Sequence, residues 1–223
     1  MNVLVVYAHH EPTSFTSAMK NLALEVLSRQ GHSVVVSDLY GQGFSAVAQK
    51  WDFVTTSGGH FNYMLEQKHA ARLDLAFSPD ILGEIQKLKA AEIIIFATPL
   101  WWFSVPAILK GWFDRVLAMG VTWDDGKIYE QGLLRGKQAM LIAAAGEPGE
   151  YYGPQGKHKA TLEQILHPIN YATLAYCGLS VHQPFVAMNV IAGNDAFRTK
   201  ILQDLELRLQ HLLDAPQWLV HYN

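Results

Sequence analysis

A tyrosine and a histidine six residues apart, Tyr152 and His158, lie in the glycine-rich stretch GEYYGPQGKH. Both side chains can donate hydrogen bonds, and their unperturbed pKa values lie near ~10 and ~6.5. Two such donors placed together can stabilise an anion that forms and disappears during a reaction. The same stretch is also compatible with a plain loop, in which Tyr151 and Tyr152 pack on the surface and His158 begins a helix.

Three consecutive aromatic residues, Trp101, Trp102 and Phe103, follow a strongly apolar run in the stretch EIIIFATPLWWFSVP. Aromatic walls combined with a few backbone hydrogen bonds suit a flat ligand. The alternative interpretation is that the three rings fill the core or a dimer interface. These residues alone do not decide between the two.

A third candidate stretch, HHEPTSFTSAM, places Thr13 and Ser14 where an apolar run gives way to a helical pattern. Both residue types cap helices well, and the N-terminus of a helix offers free amides and a positive dipole end to a phosphate group. The stretch lacks the glycines of a Rossmann fingerprint or a P-loop. Plain helix capping, with His9 as a packed polar residue, is the alternative.

The elements that must position these stretches alternate between short apolar runs and helical patterns. Strands are predicted at VLVVYA, SVVVSDL, EIIIFATPL, KQAMLIAAA and LSVHQPFVAM. Helices are predicted at about 14–30, from Ser78 to the third strand, at VPAILKGWFDRVLAMG, at ATLEQILHPINYATLAYCG and over the last helical stretch, NDAFRTKILQDLELRLQHLL. Pro168 should kink or split the fourth of these helices.

Five parallel-type strands alternating with helices predict an α/β fold, a doubly wound sheet of flavodoxin-like order 2-1-3-4-5 in one domain over residues 1–223. Ligands of such sheets bind at the carboxyl ends of the strands, where the three candidate stretches fall. The segment from Tyr40 to Phe77 has weak periodicity and exceeds the usual length of a connection. We therefore expect it to be functional or to form an interface.

Composition excludes several other classes of protein. The net charge of −3 offers no basic field for nucleic acid. The single cysteine, Cys177, allows no internal disulfide, and the N-terminal apolar run is too short for a signal or a span, so we expect a soluble, cytoplasmic protein. No zinc-type spacing and no Gly-x-Ser-x-Gly motif occur, so neither a metal site nor a serine nucleophile is predicted.

Together the motifs resemble those of the NAD(P)H:quinone oxidoreductases, or DT-diaphorases. The stretches AHHEPTSFTSAM, SDLYGQGF, SPDI, PLWWFSVPAILKGWFDRV and YYGPQGKH recur in the order found in that family. The resemblance implies a flavodoxin-like homodimer with FAD, rather than FMN, at each interface. It also implies two-electron, ping-pong hydride transfer, in which NAD(P)H donates through the flavin to a small quinone that enters the same pocket.

The resemblance also assigns residues. Tyr152 and His158 match the pair that stabilises charge on the reduced flavin, and His158 also faces the substrate. Trp123 and Asp125 stand where two tyrosines of the family line the substrate pocket. The residues expected to bind the cofactor are His9, Phe15, Thr16, Asn62, Pro99, Leu100, Trp101, Trp102, Phe103, Ala144, Ala145, Gly146, Glu147, Tyr152, Arg198 and Leu202.

The sequence departs from the family at two places. A Thr-Thr-Gly-Gly run of the family is replaced by Ala144 to Glu147, which removes hydroxyl groups from the edge of the flavin ring but leaves backbone amides. By the resemblance, Asp125 would place a charge at the pocket mouth, which puts the preferred acceptor in question. Two other functions remain open: a regulatory subunit of a potassium-efflux membrane transporter, and a reductase of azo or nitro compounds.

Overall fold

One parallel sheet forms the centre of the computed structural model, which describes residues 1–212. Neighbouring strands are hydrogen-bonded in the order β2-β1-β3-β4-β5, and β6 also pairs with β4, further along that strand. The predicted flavodoxin-like order is thus confirmed, with its fifth position shared by two short strands. The strands are β1 Asn2–Tyr7, β2 Ser33–Asp38, β3 Ile93–Pro99, β4 Gln138–Ala144, β5 Ser180–Val181 and β6 Phe185–Ala187.

The break in the fifth strand falls at the residues between Val181 and Phe185, which include Pro184. Proline has no amide hydrogen and cannot donate to a strand ladder. The strand ladder resumes four residues after Val181, where Phe185 lies opposite Ile142 of β4. Its carboxyl end therefore still reaches the same edge of the sheet as the other strands.

Helices cover both faces of the sheet, as expected for parallel strands. Because side chains alternate along a strand, Leu4 and Val6 join one core cluster while Val3 and Val5 join the other. The helices are α1 Phe15–Arg29, α2 Tyr63–Arg72, α3 Pro79–Ala90, α4 Ala107–Val116, α5 Leu162–Ile169 and α6 Asp195–Gln210. Within residues 1–212, none of them combines the length and the apolar character that crossing a bilayer requires.

Two helical expectations are resolved by the structure. The helix around Pro168 is split, since α5 ends at Ile169 and is followed by a π-helical turn over Asn170–Leu174. The segment between Tyr40 and Phe77 contains α2, which its weak periodicity did not predict. The predicted last helix begins as expected, and its final residue, Leu213, lies outside the described residues.

A buried ionic network fastens the segment that precedes α2 to the rest of the fold. The guanidinium group of Arg115 on α4 lies 2.8 Å from a carboxylate oxygen of Asp52 and 2.8 Å from one of Asp80 on α3. It also donates to the Ser45 carbonyl at 2.9 Å. The Tyr63 hydroxyl donates to Asp52 at 2.6 Å, and burial together with this bond raises the pKa of Tyr63. These contacts hold α2 against the face that carries α3 and α4.

Candidate active site

Two adjoining pockets open at the carboxyl ends of β1, β3 and β4. The first, the α1 pocket, measures about 530 Å³ and is lined by His9, Thr13, Ser14, Phe15, Thr16, Ala18, Pro99, Leu100, Trp101, Ala144, Gly146, Val190, Ile191 and Arg198. The second, the aromatic pocket, measures about 420 Å³ and is lined by Leu100, Trp101, Trp102, Phe103, Ala145, Gly146, Glu147, Tyr152 and His158. Three residues, Leu100, Trp101 and Gly146, line both pockets, so the two pockets form one continuous cleft.

The α1 pocket is built around the start of a helix. The Ser14 side chain caps α1 by accepting from the Ser17 amide at 3.1 Å. The amides of Phe15 and Thr16 lie in the first turn, where a helix supplies no acceptor of its own. These two amides and the positive end of the helix dipole therefore favour an anion in this pocket.

His9 adds a directed donor to the same pocket. Its Nδ1 accepts a hydrogen bond from the Glu11 amide at 3.0 Å, so the neutral ring carries its hydrogen on Nε2. Burial, and next the neighbouring His10, lower the pKa of His9. The ring is therefore neutral at pH 7 and presents an N–H donor without adding a full charge.

Arg198 places a full positive charge on the opposite wall of the α1 pocket. Its guanidinium group donates to the Val190 carbonyl at 3.3 Å and lies 3.2 Å from a carboxylate oxygen of Asp195. Leu202 lies one helical turn further along α6 and packs, half-buried, against the core on the α1 side. Arg198 thus lines the pocket directly, whereas Leu202 supports the helix behind it.

The aromatic wall is a tight turn in an uncommon backbone conformation. The backbones of Trp101 and Ser104 exchange two hydrogen bonds of 2.9 Å, and φ is positive at both intervening residues, 50° at Trp102 and 58° at Phe103. This is the pattern of a type I′ turn, which favours Asn-Gly and penalises bulky side chains. The Trp102 side chain is 94% exposed. The exposure of large aromatic rings shows that this turn is not part of the core of this chain, and its strain favours a binding element or an interface.

Relieving the strain of this turn should stabilise the protein and weaken its site. We expect Trp102→Asn with Phe103→Gly to raise the free energy of unfolding by about 1–3 kcal/mol, because both residues leave an unfavourable conformation. The same change should lower affinity for flat ligands, since it removes two rings from the aromatic pocket. Urea unfolding and ligand titration measure the two effects. A double variant that is less stable than the parent would show that the rings pack favourably instead.

Tyr152 and His158 meet at the mouth of the aromatic pocket. Their ring centroids lie 4.9 Å apart in an edge-on arrangement, and the Phe103 ring lies 4.8 Å from that of His158. The Nε2 atom of His158 is buried and has no hydrogen-bond partner among the described residues. Burial, and next the charge of Glu147, raise the pKa of Tyr152. Tyr152 is therefore a protonated donor at neutral pH, and His158 has a ring nitrogen available for a ligand.

The backbone of the loop holds this pair together. The His158 amide donates to the Tyr151 carbonyl at 2.9 Å, and the Gly153 amide donates to the Ala160 carbonyl at 2.7 Å. A Cβ atom on Gly156 would lie 2.2 Å from the Tyr151 carbonyl oxygen. Only glycine therefore permits the close crossing that returns His158 to the side of Tyr152.

The floor of the cleft is formed by the end of β4. Pro99 pairs with Ala144, and the Leu100 amide donates to the Ala144 carbonyl at 2.8 Å. The amides of Gly146 and Glu147, by contrast, donate to no residue within 1–212. These two amides are free where the resemblance implies the polar edge of the flavin ring.

Three residues predicted for the site lie away from the cleft. Asn62 caps α2 by accepting from the Leu65 amide at 3.3 Å. Trp123 donates from its indole to the Leu117 carbonyl at 3.1 Å and lines a separate groove beside α4. Asp125 is paired with Lys68 at 2.7 Å. Their predicted roles stay predictions, since the described residues of the chain do not bring these three to the cleft.

The sequence patterns missed two contributors to the cleft, Val190 and Ile191. Both follow β6, the last strand to reach this edge of the sheet. The rule that ligands bind at the carboxyl ends of the strands therefore also applied to them. The described residues contain no group of three or more histidine, cysteine or acidic side chains that would hold a metal ion. Cys177 is buried, and burial raises the pKa of its thiol to about 11, so it is inert.

Comparison with known proteins agrees with this geometry. A family model described as flavodoxin-like fold matches residues 1–212. Human ribosyldihydronicotinamide dehydrogenase [quinone] is 40% identical over 210 residues, which cover 93% of this chain and 90% of that protein. Rat NAD(P)H dehydrogenase [quinone] 1 is 37% identical over 209 residues, covering 93% and 76%.

The chain belongs to the NAD(P)H:quinone oxidoreductase family.

The structure of this family member is also similar to a solved structure from Klebsiella pneumoniae, which is described as a candidate quinone reductase. It superposes with a TM-score of 0.92 at 37% identity and covers 97% of this chain and 86% of its own. The chain is thus a member of an enzyme family, and the cleft at the strand ends is where its chemistry is to be sought.

Proposed function

We propose that this protein is an FAD-dependent NAD(P)H:quinone oxidoreductase that transfers hydride in a two-electron, ping-pong cycle. The observation that carries the proposal is the continuity of the cleft. An anion-binding helix N-terminus at one end adjoins a pocket walled by exposed aromatic rings, with two hydrogen-bond donors at its mouth. A flavin has the matching parts in the matching order: a phosphate, a flat ring and a ring edge that gains negative charge.

The residues present fit a flavin on specific grounds. The pocket that would hold the ring is lined by His158, whose buried Nε2 has no partner among the described residues, and by Gly146 and Glu147, whose amides are free. His9, Phe15, Thr16 and Arg198 line the pocket that would hold the phosphates. A bound flavin would supply the hydride chemistry, which no side chain of the chain can perform.

The side chains of the protein would orient the reductant and the acceptor and stabilise the charge that develops between them. Trp101, Trp102 and Phe103 would hold the flat rings of reductant and acceptor in line, which shortens the path of the hydride. Tyr152 and His158 would donate hydrogen bonds where negative charge develops. Removing one such donor typically costs about 10²-fold or more in rate. Because the aromatic pocket is a single chamber, reductant and acceptor would have to occupy it in turn.

FAD is proposed over FMN because α6 adds a wall to the α1 pocket through Arg198. Arg198 and Leu202 lie on successive turns of α6, beside α1, where an adenosine half could be covered. We expect the flavin released by heat from the purified, yellow protein to co-elute with FAD. Release of FMN alone would correct the cofactor, and a protein that takes up neither flavin would contradict the proposed function.

The nicotinamide reductant is a separate question, because the two relatives differ in name. One is named for ribosyldihydronicotinamide and the other for NAD(P)H. We propose NAD(P)H, with quinones as acceptors. Initial rates with NADH, NADPH and ribosyldihydronicotinamide show which reductant the protein prefers. Parallel lines in double-reciprocal plots are the result expected for a ping-pong cycle.

A homodimer is proposed as the functional unit. Large apolar side chains are exposed beside the groove that contains Trp123, among them Trp51, Met64 and Leu65. A second copy covering this face would bury them and could bring Asn62, Trp123 and Asp125 toward a cleft. We do not extend the proposal to a transporter or to azo compounds, because the relatives described above are named for quinones.

A further inference from the structure

A second polar pocket of about 480 Å³ lies at the carboxyl ends of β1 and β2, outside the cleft assigned to the flavin. We refer to it as the β2 pocket. It is lined by Tyr7, His9, His10, Pro12, Ser17, Lys20, Asn21, Asp38, Tyr40 and Gly41. Its volume falls within the range of small-molecule sites. Of these residues, only His9 also lines the α1 pocket, and none lines the aromatic pocket.

The acidic group of the pocket is positioned by its own turn. One carboxylate oxygen of Asp38 accepts from the Gly41 amide at 2.8 Å. A Cβ atom on Gly41 would lie 2.8 Å from the other oxygen, so glycine is what lets the turn close against the carboxylate. The second oxygen forms no hydrogen bond within the described residues. An acidic residue at the end of the second strand of a doubly wound sheet is suited to accept hydrogen bonds from ribose hydroxyls.

The pocket also holds a cation without an acidic partner. Lys20 on α1 has its Nζ 5.1 Å from the centroid of the Tyr7 ring, and it forms no ion pair with any described residue. Tyr7 is fixed beneath it by a hydrogen bond to Ser17. A lysine held in this way is a point charge available to a phosphate group.

Aromatic rings complete the pocket and connect it to the cleft. Tyr40 is 37% exposed, and its ring centroid lies 5.7 Å from that of His10. The His10 ring is in turn 6.0 Å from Trp101, which lines the aromatic pocket. One indole ring therefore separates the β2 pocket from the chamber proposed for hydride transfer.

We propose that the β2 pocket binds the adenosine-phosphate half of a dinucleotide reductant whose nicotinamide lies in the aromatic pocket. Asp38 accepts from a ribose, Lys20 contacts a phosphate, and the purine stacks on Tyr40 and His10. This inference rests on the proposed function for the identity of the reductant, but the pocket can be tested without any turnover. It assigns to these four residues the discrimination between NAD(P)H and a reductant that lacks adenosine.

Binding of ADP to the purified, flavin-loaded protein tests the pocket directly. Titration calorimetry should give saturable binding to the parent protein, with a Kd raised at least about tenfold in Lys20→Met and in Asp38→Asn. Asparagine keeps an oxygen for the Gly41 amide, so the turn should survive. Lys89→Met, an exposed change on α3 with the same loss of charge, is the matched control and should bind ADP like the parent.

Steady-state rates extend the test to the reductant. KM for NADH should rise at least about tenfold in both variants, while KM for ribosyldihydronicotinamide and the kcat values stay within about twofold. Absence of ADP binding to the parent, or equal binding to Lys20→Met, would overturn the proposal. So would loss of FAD from the variants, which would assign the pocket to the flavin's own adenosine. Failure to reduce quinones would contradict the proposed function but leave the ADP result standing.

Discussion

Replacing Tyr152 by Phe and His158 by Gln is expected to lower kcat for NAD(P)H oxidation at least about hundredfold while the flavin remains bound. The two rings lie 4.9 Å apart at the mouth of the aromatic pocket, and the buried Nε2 of His158 has no partner among residues 1–212. Their hydrogen bonds to a developing anion would be lost, whereas the contacts of the α1 pocket would persist. Anaerobic stopped-flow mixing with NADPH measures the rate, and flavin absorbance measures occupancy.

Tyr151→Phe provides the matched control for this prediction. Tyr151 also lies beside His158, with ring centroids 5.8 Å apart, but it does not line the aromatic pocket. Removal of its hydroxyl should therefore leave kcat within about twofold of the parent. Equal rates for the parent and the double variant would contradict the role of the pair, and an equal loss in Tyr151→Phe would point to the loop as a whole.

Replacing Arg115 by Met is expected to lower the free energy of unfolding by about 3–5 kcal/mol. Arg115 and Asp52 are both buried, so the change leaves a carboxylate in the core without a cation, accepting only from the Tyr63 hydroxyl and the Gln49 amide. The Ser45 carbonyl loses its donor as well. Urea unfolding followed by far-UV circular dichroism measures the difference.

An exposed ion pair on the same helix supplies the comparison for Arg115. Lys110 pairs with Asp114, and their side chains are 60% and 49% exposed. Lys110→Met should therefore change the free energy of unfolding by no more than about 1 kcal/mol. If Arg115→Met unfolded at the same urea concentration as Lys110→Met, the buried network would not be what fastens the segment before α2.

The sequence predicted the sheet well because its strands stand out as short apolar runs. The runs that became β1, β3 and β4 are continuous and apolar, as strands covered on both faces must be. Helix α2 escaped prediction because only part of its surface is apolar: Glu66 and Gln67 are among its buried residues. Glu66 accepts from the Ser57 amide and hydroxyl, and Gln67 bridges the Asp114 carbonyl and the Met119 amide. Because polar residues occupy the buried face of α2, its sequence shows no hydrophobic periodicity.

The sequence located the candidate cleft but did not predict its geometry. Placement at strand ends located the motifs that contain Trp101 and Tyr152, and the structure brings both to one pocket. Nothing in the sequence indicated that Trp102 and Phe103 take positive φ, since such residues normally avoid that region. The β2 pocket was missed because Lys20 and Asp38 lie far apart in sequence and meet only through the pairing of β1 with β2.

The central claim, flavin-dependent reduction of quinones at this cleft, is tested most directly by anaerobic turnover of the FAD-loaded protein with NADH or NADPH and menadione. One quinone should be reduced for each reductant consumed, as two-electron transfer requires, and protein stripped of flavin should be inactive until FAD is restored. Protein that carries flavin yet consumes no NADH, NADPH or ribosyldihydronicotinamide in the presence of quinone would contradict the account.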